Sequence, residues 1–354
     1  MKSALQSLIQ VLFSSILVFS FSYYVEAGPL RRPLSFQHIT PKDGLSSEMV
    51  YAIAVQGEEV WFGTYGGGAT LYDKSKKIYK AYTTKGEPLA KVDDGDSVTW
   101  KNLLTYNHVS VIVPDVDRIW FGTYFYGFRG GGISYYSPQK NPPWKPFDTY
   151  TSSDLAKKIV SMAVDGDWLW VGSEKGLCLL DKKTEQWKTF YSPQKGLSGN
   201  FVNALLVDSD FIWSGTNGGI SRLHRTQRTW KTYSKKEGLP DSEIKALVKV
   251  GQKMWAGAID GSLFEYDAAP DRWKKIEPTD PLKNGGIYSI AATRDRVFIC
   301  RDNGASVYDL SAGRWESLTT SDGLLSNTVL SAAEEKNGVW LGTDKGASYL
   351  LLAP

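Results

Sequence analysis

The chain has 354 residues, with 41 Lys and Arg against 38 Asp and Glu, a formal net charge of +3, and 13% aromatic side chains. A charge that small, with its basic residues spread through turns, argues against nucleic acid as a partner. Length alone suggests about two domains, but an internal repeat overrides that prior.

Residues 1–27 open with Lys2, run apolar from Leu8 to Tyr24 and end in Val25-Glu26-Ala27 before Gly28. A basic start, an apolar core and a small-residue cleavage site predict a secretory signal peptide. An uncleaved membrane anchor is the alternative, for which the run is a little short. The mature chain, 28–354, is expected as a single exported domain, periplasmic or extracellular, with no membrane span after cleavage and monomeric.

The segment Phe36–Val50, FQHITPKDGLSSEMV, aligns without a gap on Trp315–Val329, WESLTTSDGLLSNTV. The first strand of the mature chain therefore repeats an outermost strand near the end. From Val50 onward an anchor aromatic recurs at Trp61, Trp120, Trp170, Trp213, Trp255, Phe298 and Trp340, most often 42 or 43 residues apart. That is a propeller-blade period.

Eleven residues before each anchor stands Val50, Val109, Ile159, Val202, Ile244, Ile287 or Val329. Two residues after it comes Gly63, Gly122, Gly172, Gly215, Gly257 or Gly342, with Cys300 the one departure. Glycine there would admit a neighbouring backbone or a bulky ring. The unit around Trp170–Leu197 shows the content of a repeat: apolar runs of about six residues bounded by turn formers, which is the strand signature.

The predicted fold is all-β, a seven-bladed β-propeller of four-stranded antiparallel blades. Its last blade is closed by the N-terminal strand, which removes the open edge at the seam. Cys178 and Cys300 fall nearly opposite each other around such a ring, beyond disulfide reach, and are expected as buried thiols.

With strands running outward from the axis, the turns after the second strand share a face with the Gly-Leu segments that connect blades. Two insertions land on that face: 83–106, rich in Asp, Gly and Lys, and 124–130, Tyr-Phe-Tyr-Gly-Phe-Arg-Gly. Insertions gathered on one face of a repeat protein often mark its binding face. Tyr124, Phe125, Tyr126, Phe128 and Arg129 suit a planar or sugar-like ligand or a protein hot spot. Alternatively, these rings pack the neighbouring insertion.

Tyr65 is expected beside them. His108 and Arg301 are expected nearer the axis, with Arg301 replacing a Thr that stands at 64, 123, 216 and 343. An arginine there would bind a carboxylate or phosphate, or form a solvated pair with Asp302. The three histidines have no metal-ligand spacing, there is no Cys cluster and no G-x-S-x-G. No catalytic residues, metal or cofactor are therefore expected.

The pattern Trp-x-Gly-Thr-x-x-Gly, then Tyr-Asp, a Trp-Lys-x-Tyr strand and Asp-Gly-Leu-x-Ser-Asn-x-Val resembles the two-component-regulator propeller repeat over residues 36–352. It is clearest at Trp61-Phe62-Gly63-Thr64, Trp213-Ser214-Gly215-Thr216 and Trp340-Leu341-Gly342-Thr343. The resemblance implies the extracytoplasmic sensor part of a membrane histidine kinase, here expected to stand alone without a kinase domain. The leading expectation is a non-catalytic exported propeller that binds a small molecule, glycan or protein through its loop-rich face. Two alternatives stand beside it: a stand-alone propeller enzyme resembling the streptogramin lyase type, with His108 and a carboxylate such as Glu48, and a sensor subunit that docks on a separate membrane kinase.

Overall fold

Alternating apolar runs and turn formers become strands, and seven repeats of them become seven sheets. A computed structural model describes residues 30, 34–84, 104–124, 131–148 and 158–352; the expected signal segment lies outside these. β1 is Phe36–Ile39. The blades then follow as β2–β5 (Val50–Tyr82), β6–β9 (Val109–Asp148), β10–β13 (Ile159–Tyr191), β14–β17 (Val202–Tyr233), β18–β21 (Ile244–Ile276), β22–β25 (Ile287–Leu318) and β26–β28 (Val329–Leu351).

Every sheet has four antiparallel strands. The seventh is ordered β1-β28-β27-β26, with Phe36 opposite Leu350 and Ile39 opposite Ala347. The N-terminal strand thus completes the last blade, as the Phe36–Val50 match predicts. The innermost strand of each blade packs on those of its two neighbours, and β2 touches both β6 and β26, so the ring closes. Among the described residues no helix is long and apolar enough to cross a membrane.

The core lies between blades. The seven anchor aromatics are all buried. So are the seven β-branched residues that open the innermost strands, each without measurable exposure. The glycine two positions past the anchor explains the pairing. A Cβ on Gly215 would lie 2.8 Å from Ile244 Cγ2 of the next blade, and one on Gly63 would lie 2.8 Å from Val109 Cγ1. The close neighbours include the backbone of the following blade, as expected from sequence, with the Val109 carbonyl oxygen 2.9 Å from a Cβ on Gly63, and beside it an aliphatic side chain where a ring was the other expectation. At the exception, Cys300 packs in the same cluster as Val329, and burial pushes its thiol up to about 12. Cys178 is also a free, buried thiol.

The Gly-Leu segments seat one blade on the next. Gly196 and Gly323 leave short 3-10 turns with φ of 109° and 105°, a left-handed conformation that glycine adopts without steric cost. The leucines that follow, Leu197 and Leu324, are buried. In the matched pair of segments, the amides of Thr40 and Thr319 each donate 2.9 Å to the carboxylate three residues on, Asp43 and Asp322. The sequence match thus extends to the same local hydrogen bonding.

Candidate functional site

In all seven blades the innermost strand carries a bulge directly after its first residue; in β2 the register steps from Val50 to Ala52. The skipped residue stands outside the ladder at the mouth of the ring, on the face of the Gly-Leu segments. A bulge re-aims a side chain in this way. In blade one that residue is Tyr51.

Tyr51 belongs to a ring cluster centred on His108. The His108 imidazole lies 4.5 Å from the Tyr65 ring, 5.0 Å from Tyr51 and 5.3 Å from Tyr124, centroid to centroid. Backbone bonds fix the parts: the Tyr65 amide donates to the Met49 carbonyl at 3.0 Å and the Tyr124 amide to the His108 carbonyl at 2.9 Å. Beyond Tyr124, the Lys158 ammonium stands 5.3 Å over its ring and 3.3 Å from the Glu174 carboxylate. The cluster thus spans three blades. Tyr65 is 48% exposed and His108 only 6%.

Burial lowers the His108 pKa to about 4. At neutral pH the imidazole is therefore uncharged, with one N–H donor and one acceptor nitrogen. Desolvation is the sole cause of that shift, and Glu48, the carboxylate considered as its partner, is exposed. Among the described residues no three His, Cys, Asp or Glu side chains gather as a metal site.

The structure therefore brings together Tyr65, His108 and Tyr124 of the residues singled out from sequence. Phe125, Tyr126, Phe128 and Arg129 lie outside the described residues. Arg301 is placed elsewhere than expected. It is fully buried and donates to the carbonyl of Gly285 at 2.6 Å, the carbonyl of Gly261 at 3.3 Å and Ser306 Oγ at 2.9 Å.

The threonines at this position work over a shorter reach; Thr216, for example, meets Ser198 Oγ at 2.9 Å. Arg301 extends that role across the loop that precedes β22. It ties the loop to the blade, and its full burial replaces the solvated pair considered from sequence. Tyr51 and Lys158 were missed. The signal for Tyr51 was available, since a constant offset of eleven residues marks Val50, the position just before it, and its counterpart in every blade.

A family profile described as DUF6242 beta propeller domain matches residues 94–258. No curated protein matches the chain. Among solved structures, the extracellular domain assigned to a hybrid two-component system of B. thetaiotaomicron is similar, with a TM-score of 0.72, 19% identity, and 91% of this chain and 42% of that one covered. The extracellular domain assigned to a one-component system of the same organism has a TM-score of 0.65, 20% identity and coverage of 89% and 39%. PorZ, a surface component of the type-IX secretion system of Porphyromonas gingivalis, has a TM-score of 0.65, 14% identity and coverage of 87% and 47%. This chain spans less than half the length of each. At these identities the likeness is one of fold: a seven-bladed propeller resembling those in extracellular domains of two-component proteins.

Proposed function

We propose that this chain is an exported, non-catalytic propeller that recognises a planar or sugar-like ligand, or a protein partner, at the mouth formed by Tyr51, Tyr65, His108 and Tyr124. One observation carries the reading: Tyr51 and Tyr65 of blade one and Tyr124 of blade two converge on a neutral, buried imidazole, with Tyr65 open to solvent. Aromatic faces supply contact area at low entropic cost, and the imidazole offers one donor and one acceptor to fix orientation. The insertion with Phe125, Tyr126, Phe128 and Arg129 follows Tyr124 directly in the chain and forms part of the proposed surface.

A sensor role is supported by the likeness to extracellular domains of two-component proteins; in that reading the propeller docks on a separate membrane kinase. The proposal is tested by saturation-transfer NMR with a defined set of mono- and disaccharides against wild type and Tyr65→Ala. Transfer to a sugar in wild type that disappears in the folded variant supports it. Equal transfer in both proteins contradicts it.

A further inference from the structure

Five of the six anchor tryptophans donate their indole N–H to a carboxylate of their own blade. Trp61 donates to Glu59, Trp120 to Asp115, Trp170 to Asp165, Trp255 to Glu265 and Trp340 to Glu335, at 2.6 to 3.3 Å. Trp213 is the exception. Its Nε1 is buried without a hydrogen-bond partner, and the ring is 2% exposed. An unpartnered buried donor is costly, so this one calls for an explanation.

One substitution and one ion pair leave it without an acceptor. Arg222 faces Trp213 in register as Glu265 faces Trp255. Asp208, five residues before the anchor like Asp115, Asp165 and Glu335, instead accepts from Lys249 Nζ at 2.9 Å. Trp213, Arg222, Asp208 and Lys249 all line a cleft of about 360 Å³ between blades four and five. That cleft is at the end of the ring where the first two strands of each blade turn, opposite the aromatic mouth. Its size lies near the lower bound for small-molecule sites.

The cleft holds more donors than acceptors. The Asp271 carboxylate alone takes Arg222, Lys231 at 2.5 Å, and the hydroxyls of Tyr233 and Tyr266. Burial raises its pKa, but those donors outweigh burial and hold it low, so it is already a fully engaged anion. Phe211, Tyr266 and Met254 supply apolar wall, and the Arg222 guanidinium lies 4.4 Å over the Phe211 ring.

We propose that this cleft binds a small carboxylate carrying an aromatic or apolar group. Its oxygens take the place that Glu265 holds in blade five, accepting from Trp213 Nε1, Arg222 and Lys249. Its apolar part lies against Phe211 and Met254.

The test follows the indole resonances of ¹⁵N-labelled full chain during titration with sodium phenylacetate, with Trp213 assigned by its loss in Trp213→Phe. The Trp213 N–H should move downfield and saturate, while the five paired anchor indoles stay in place. Arg222→Glu, which rebuilds an in-blade acceptor, should abolish the response. Lys249→Met should weaken binding about tenfold or more, the size of one charge-assisted hydrogen bond. If Arg222→Glu does not fold, Lys249→Met and the wild-type titration decide. The proposal is overturned if Trp213 shows no saturable movement, if phenethylamine or sodium chloride at equal ionic strength moves it alike, or if Lys249→Met binds as wild type.

Discussion

Gly215 shows how much one position carries in this ring. Its missing side chain is the space that Ile244 of the next blade occupies, so a larger residue must push two blades apart. Gly215→Val is expected to destabilise the fold by about 1–3 kcal/mol, as overpacking of a tight core does. In an Ile244→Ala background the same substitution should cost less, and chemical denaturation of the double-mutant cycle measures that coupling.

His108 supplies a pH prediction. Its folded pKa of about 4 lies below the usual value near 6.5, so the unfolded chain binds the proton more readily. Its stabilising contribution is complete above about pH 6.5 and is lost as pH falls toward 4. Urea denaturation at stepped pH should show stability falling through that window, and His108→Gln should flatten the slope. An unchanged slope would mean that the imidazole is not desolvated. At this scale the sequence marks positions better than partners. The glycine two places after six of the seven anchors is visible as a repeat feature, but part of what crowds it comes from the following blade, which periodicity within one repeat does not identify. Arg301 is visible as a departure, whereas its burial depends on a loop geometry that no spacing encodes.

At the scale of elements, β1 is the piece whose removal is most informative. It contributes four residues to the last sheet, and Ile39 and Leu350 are buried there. Without residues 28–41 the β28 edge is left unpaired, a template for association with another chain. That deletion should lower the melting temperature and give soluble aggregates by light scattering; an unchanged melting temperature would contradict closure by β1. The element scale was also the most legible. Seven anchors, seven β-branched openings and the gapless match of Phe36–Val50 on Trp315–Val329 specify blade number, strand order and the seam, because each is a length or register constraint. The bulge after Val50 was not anticipated. It adds a residue without disturbing the constant offset, and it is the feature that brings Tyr51 to the mouth.

For the whole molecule, a closed ring separates two jobs. Repeated residues hold the blades together, and some departures from the repeat, Tyr65 among them, face solvent at the ends of the ring. Loops on a rigid scaffold are where binding residues usually sit, and the mouth near His108 gathers such departures from blades one to three. Residues 85–103 and 125–130, with Phe125, Tyr126, Phe128 and Arg129, lie outside the described residues, and sequence alone speaks for them.

The central claim, recognition at the aromatic mouth, is tested most directly by a thermal-shift screen. A defined glycan and metabolite set is run in parallel on wild type, Tyr65→Ala and Lys249→Met. The account predicts compounds that raise the wild-type and Lys249→Met melting temperatures but leave Tyr65→Ala unmoved. Compounds that shift all three proteins equally, or a set that shifts none, would contradict it.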